Sequence, residues 1–179
     1  MTDDRKIVLI LGGARSGKSS YAQQVATDRG GRVLFCATAQ PLDEEMQDRI
    51  RAHRQARPPG WDTLEIKDGL AAALEGKAGR YDTVIVDCIT LLTANCIGEA
   101  IDYRAAEKVI DDEVDGFIGL MRRSCCRVIL VSNEVGGGIV PDNRLARVYR
   151  DALGRANQQL ARAADEVILM TAGLPMKLK

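Results

Sequence analysis

The sequence predicts an α/β fold, with a mostly parallel sheet covered by helices on both faces. Two observations carry that prediction. The first is alternation. Short apolar runs at Ile7–Leu11, Arg32–Ala37, Thr83–Asp87, Arg127–Ser132 and Glu166–Met170 are separated by segments with apolar residues at helical spacing. Such nearly all-apolar runs are typical of strands buried on both sides of a parallel sheet. The second observation is the junction after the first run, Gly12-Gly13-Ala14-Arg15-Ser16-Gly17-Lys18-Ser19, which matches the phosphate-binding pattern G-x-x-x-x-G-K-[ST]. Glycines there let successive N–H groups turn inward around phosphate oxygens, and the following helix adds its unsatisfied donors and positive dipole end. Lys18 is expected to reach the β- and γ-phosphates, and the Ser19 hydroxyl to ligate Mg²⁺. A chance glycine-rich turn would lack the strand before it and the helix after it.

Taken in order, Ser20 to Asp28 reads as a helix ended by Gly30-Gly31. After the strand Arg32–Ala37, the loop Thr38-Ala39-Gln40-Pro41 falls at a strand's C-terminal end, where open α/β sheets bind ligands. Asp43-Glu44-Glu45 opens a helix acid-first, which suits its dipole, and Pro58-Pro59-Gly60 stops it after about Arg57. A short strand over Trp61–Lys67, a small helix over Leu70–Glu75 and a turn over Gly76–Arg80 lead to the strand ending at Asp87. Leu91–Ile97 and Tyr103–Arg123 read as helices, the second with a stripe of Val109, Val114, Phe117, Ile118 and Met121. The loop Asn133–Pro141, the helix Arg144–Ala164 and the last core strand follow, and Pro175–Lys179 offers an edge strand. Without repeats or linkers, residues 1–179 read as a single domain.

Composition narrows the function. With 25 basic and 25 acidic residues and 4% aromatics, nothing favours nucleic acid or an anionic membrane. Apolar runs have strand length, too short for membrane insertion, and Met1–Lys6 lacks a signal-peptide character. Five cysteines (Cys36, Cys88, Cys96, Cys125 and Cys126) make an odd count without a C-x-x-C pair. They fit a reducing cytoplasm better than zinc or disulfides. A guanine-specific N-K-x-D motif, expected of a GTP-dependent switch protein, is missing.

Three positions could carry chemistry beside the loop. Asp87 ends a core strand, where an acid can hold Mg²⁺ or cap the next helix. His53 is the single histidine. On a helix it shares a face with Arg49 and Arg57, with Arg51 and Arg54 nearby. Cations so close disfavour further positive charge on the ring and could bind phosphate oxygens, so the imidazole could attack phosphorus or simply face solvent. Asn133-Glu134 lies at the same sheet edge as the loop, followed by Gly136-Gly137-Gly138, which permit motion. Arg15 is a further candidate phosphate or substrate contact. Glu134 and Asp87 are both candidate bases for an acceptor hydroxyl.

Together these segments resemble the bifunctional adenosylcobinamide kinase/adenosylcobinamide-phosphate guanylyltransferase family of cobalamin biosynthesis. The matching motifs are Gly12–Ser19, Ala37-Thr38, Arg49-Ile50 with His53-Arg54 and Arg57-Pro58, Trp61–Glu65, and Asp87-Cys88-Ile89-Thr90 with Asn95. Ser132–Gly136, Val140-Pro141 and Asp151 through Gly154 to Asn157-Gln158 complete them. The resemblance implies a P-loop NTPase fold with a RecA-like sheet, a homotrimer, and ATP or GTP as phosphoryl donor to adenosylcobinamide. It also implies that a histidine, matched by His53, takes GMP from GTP and passes it to adenosylcobinamide phosphate. The implied nucleotide contacts are Gly12, Gly13, Ala14, Arg15, Ser16, Gly17, Lys18 and Ser19 of the loop, together with Ala37, Thr38 and Ala39. They extend to Arg54, Gln55, Ala56 and Arg57, and to the acids Glu65 and Asp87. Ala39 stands where the family pattern has serine.

Overall fold

The computed structural model describes residues 6–41, 43–98 and 102–179; the N-terminal segment and the Arg49 side chain lie outside the described residues. Seven strands form one sheet: β1 (Ile7–Gly12), β2 (Val33–Ala37), β3 (Asp62–Glu65), β4 (Thr83–Asp87), β5 (Arg127–Asn133), β6 (Glu166–Thr171) and β7 (Leu174–Lys177). Their order is β3-β2-β4-β5-β1-β6-β7. All neighbours pair in parallel except β6 and β7; the expected edge strand is β7, which runs antiparallel to β6.

The helices are α1 (Lys18–Arg29), α2 (Glu44–Gln55), α3 (Leu70–Leu74), α4 (Ile89–Ile97), α5 (Tyr103–Arg123) and α6 (Arg144–Ala163). Residues 78–80 form a single 3₁₀ turn where a turn is expected. Alternation along each strand divides the core. Leu9, Leu34, Val84, Val86 and Leu130 face α3, α4, α5 and α6. Val8, Ile10, Phe35, Ile85 and Ile129 face α1, through Ala22 and Ala26. Helices therefore lie on both faces, unequally.

Several boundaries differ from the sequence reading. The first helix begins at Lys18, two residues early, because Gly17 takes a left-handed φ of 94° as its N-cap and lets the loop turn straight into the helix. The second is capped at Asp43, whose side chain accepts from the Met46 N–H at 2.7 Å, and it ends at Gln55, before Arg57. No described side chain of α2 is fully buried. It lies on the sheet's C-terminal edge, not in its core. Cys36 is buried as a small hydrophobe, and desolvation pushes its thiol up to about 12. All five cysteines are free. Among the described residues, no helix is long and apolar enough to cross a membrane.

Candidate functional site

Parallel register brings the reactive strand ends together. Ala37 pairs with both Asp87 and Glu65, Asp87 pairs with Val131, and Gly12 pairs with Asn133. Over this row lies a cavity of about 990 Å³. Its lining includes the loop from Ala14 to Ser19, Ala37 and Ala39, His53, Arg54 and Arg57, Glu65, Asp87 and Asn133.

The loop is held closed by its own backbone. A Cβ on Gly12 would come within 2.5 Å of the Met170 carbonyl oxygen and 2.6 Å of Ser16 Oγ, so no side chain fits there. The Gly173 N–H donates to the Ser16 carbonyl at 3.1 Å, tying the loop to the β6–β7 turn. Lys18 is buried, and its ammonium donates to the Gly13 carbonyl at 2.6 Å across the mouth of the cradle.

Asp87 sits at the floor of the cavity. Its carboxyl titrates above the ordinary carboxylate value, chiefly because protein atoms desolvate it. The Ser19 hydroxyl bond and the nearby His53, Arg57 and Lys18 oppose that rise. The N-cap of α4 is Cys88, without any side-chain cap, so Asp87 is not the helix cap that its place at a strand end also allows. Ser19 and Asp87 are hard oxygen donors in contact, which fits Mg²⁺. Among the described residues no cluster of three or more His, Cys, Asp or Glu could hold a metal by itself.

The inward face of α2 is formed by the half-buried Met46, Ile50 and His53, three and four residues apart, all lining the cavity. Arg57 lies beyond the helix end but turns back onto the same wall. Its guanidinium stacks on Phe35, 3.9 Å from the ring centroid, and donates to Thr63 Oγ1 at 3.3 Å. Burial lowers its pKa from the usual arginine value, opposed by Asp87 and reinforced by Arg54. Its Nε is buried without a protein partner, a donor position that a ligand oxygen can satisfy. Arg54 pairs with Glu65, which sets the C-terminal end of α2 against β3.

Thr38, Gln55 and Ala56 do not line the cavity, and Gly12 and Gly13 support it from the backbone. Thr38 is fully buried; its hydroxyl donates to the Cys88 carbonyl at 2.7 Å and accepts from the Cys88 N–H at 2.8 Å. It therefore fixes the peptide after Asp87. Asn95, in turn, donates to the Thr38 carbonyl at 2.9 Å and to that of Lys67 at 3.0 Å. Phe35, and Thr90 of the Asp87-Cys88-Ile89-Thr90 motif, also line the cavity, though neither is among the expected nucleotide contacts. Phe35 reads as core in sequence, and only its stacking on Arg57 exposes a second role. Thr90 Oγ1 accepts from the Asn133 N–H at 2.7 Å, a pairing 43 residues apart that no local pattern signals.

The family model described as cobinamide kinase / cobinamide phosphate guanyltransferase matches residues 8–178. The chain belongs to that family. It is similar to the bifunctional adenosylcobalamin biosynthesis protein CobU of Salmonella typhimurium, 43% identical over 97% of this chain and 99% of the relative. CobU of Escherichia coli is 41% identical with the same coverage, and CobP of Pseudomonas aeruginosa is 42% identical over 96% of each chain. Membership makes the chain a transferase, and the P-loop NTPase fold agrees with it.

Asp87 gives a test in the absence of nucleotide. Its folded pKa lies above its unfolded one, so in the window above the ordinary value the native state holds more proton than the unfolded state. Stability therefore falls as pH rises through that window. Asp87→Asn removes the desolvated charge at constant shape. Thermal melts of the nucleotide-free protein at neutral pH should show the variant at least as stable as wild type, while nucleotide-dependent phosphoryl transfer is lost. A variant that melts well below wild type would contradict this account.

Proposed function

We propose that a single domain spanning residues 1–179 carries out two reactions: it phosphorylates adenosylcobinamide with ATP or GTP, then guanylylates the product through His53. The observation that carries the reading is that His53 lines the same cavity as the phosphate-binding loop. In the kinase step the acceptor hydroxyl oxygen attacks the γ-phosphorus while its proton passes to a carboxylate, Asp87 and Glu134 being the candidates; the bond to the β-phosphate oxygen breaks, and a nucleoside diphosphate leaves. Loop N–H groups and Lys18 stabilise the charge on the transferring group. Mg²⁺, held by Ser19 and Asp87 with the nucleotide, would neutralise charge on the β- and γ-oxygens.

In the second reaction an unprotonated His53 nitrogen attacks the α-phosphorus of GTP, forming a P–N bond and expelling pyrophosphate. A phosphate oxygen of adenosylcobinamide phosphate then attacks the same phosphorus. The P–N bond breaks, and adenosylcobinamide-GDP leaves with His53 restored. Arg54 and Arg57 flank the histidine and suit the phosphate oxygens. Of these two arginines, Arg57 has a buried Nε without a hydrogen-bond partner among the described residues. Ala14, Arg15 and Ser16 would contact phosphate, while Ala37, Ala39 and Glu65 would line the nucleoside side of the cavity. Gln55 and Ala56 would contribute through the backbone that carries Arg57. The reading extends to a homotrimer in the cytoplasm, as the family resemblance implies.

GTP labelled at the α-phosphate should leave acid-labile, base-stable label on the wild-type protein. His53→Ala should abolish that label and spare phosphorylation of adenosylcobinamide. Unlabelled wild type would overturn the guanylyltransferase half. Lys18→Ala should lower the phosphorylation rate by about a hundredfold or more, since a donor to the transferring phosphate is lost. Near-normal turnover would show that phosphate is bound elsewhere.

A further inference from the structure

A second cavity, of about 630 Å³, flanks the nucleotide cleft and shares no lining residue with it. Asn133 lines the first and Glu134 the second, as alternation at the end of a strand directs. The floor is α6, contributing Arg150, Asp151, Gly154 and Gln158, and Tyr103 closes one side. The rim is joined directly to the phosphate-binding loop, because the Glu134 N–H donates to the Gly12 carbonyl at 3.0 Å. Behind it, Asn157 accepts from Ser132 Oγ at 2.6 Å and donates to the Asn133 carbonyl at 2.9 Å, bracing the wall between the two cavities.

Gly154 is the informative residue. It lies inside α6, where glycine costs about 1 kcal/mol relative to alanine. A Cβ there would meet nothing within 4 Å, so packing within the chain does not require its absence. The missing side chain instead leaves the cavity floor open. The lining charges balance, with Arg150 and Arg155 against Glu134 and Asp151. Arg155 is further engaged by Asp111 and Glu107, and the Arg150–Asp151 contact, at 3.8 Å, is longer than a hydrogen bond. A balanced set of donors and acceptors does not suit a polyphosphate. It suits a bulky, amide-bearing alcohol, which needs both.

We propose that this cavity is the subsite for the corrinoid acceptor, with α6 as its floor and Gly154 as the residue that makes room. The inference rests on the kinase reading above. Bound there, the acceptor meets the nucleotide cleft at the Asn133-Glu134 wall, and its hydroxyl chain can extend past Glu134 toward the γ-phosphate.

A series at one position tests this on the full-length protein: Gly154→Ala, Gly154→Met and Gly154→Trp. KM for adenosylcobinamide in the ATP-dependent reaction should climb with side-chain volume, by about tenfold or more at Met. Labelling by α-labelled GTP alone, which needs no acceptor, should stay within about twofold of wild type. Melting temperatures should not fall for Ala and Met, which favour helix over glycine. An unchanged KM across the series overturns the subsite, as does a loss of GTP labelling in parallel with KM. A shift in oligomeric mass by light scattering, with KM unchanged, would assign the cavity to contact between copies of the chain and overturn it too. Wild type that labels with GTP yet never phosphorylates adenosylcobinamide would remove the kinase reading itself, and the subsite with it. That failure is read on wild type, whereas the others are read on the variants.

Discussion

Parallel pairing in fixed register is the constraint on which the site depends. Gly12 beside Asn133, and Glu65, Ala37, Asp87 and Val131 in one row, are consequences of backbone hydrogen bonds far from any reactive group. A slip of one residue in any pair would turn its side chains to the opposite face. Asp87 would then leave the floor of the cleft, and the core residue Val86 would replace it. The near-complete burial of β2 and β4 on both faces makes such a slip expensive, so the core that stabilises the sheet also aligns its chemistry.

The site is built by giving up local stability for function. Asp87 keeps a carboxyl where desolvation disfavours its charge, offset in part by Ser19 and three neighbouring cationic or basic groups. Arg57 is likewise held partly out of water, its plane against Phe35 and one donor open. By contrast α2, which carries His53, has no fully buried described side chain; an Asp43 cap and the Arg54–Glu65 pair help to hold it. Buried strands thus position the phosphate-binding loop and the acid, and a polar-tethered helix presents His53. In the proposed reactions, that division is what would let one loop serve an attack at the γ-phosphorus and another at the α-phosphorus.

Much of this was legible in the sequence because the signals are local. The loop from Gly12 to Ser19, the apolar strands and the acid at the end of β4 each occupy a few consecutive residues with a definite pattern. The face of α2 was legible only in part: helical spacing groups His53 with Arg57, but the helix stops at Gln55, and Arg57 returns to the cleft through its stacking on Phe35. What stayed hidden depends on pairs distant in sequence. Thr38 reads as a ligand contact by its place after a strand, yet its hydroxyl is consumed by Cys88, 50 residues on. The second cavity is assembled from β1, α5, α6 and the loop after β5; Gly154 belongs to a family motif in the sequence, but only the fold shows which cavity it lines.

The central claim is that one loop anchors the triphosphate while His53 faces its α-phosphorus. A crystal structure of the protein with a non-hydrolysable GTP analogue tests it most directly. The account predicts the polyphosphate in the cradle from Gly12 to Ser19, with a His53 ring nitrogen about 3–3.5 Å from the α-phosphorus and in line with the leaving oxygen. A triphosphate bound away from that loop, or a His53 ring turned from the nucleotide with another side chain at the α-phosphorus, would contradict it.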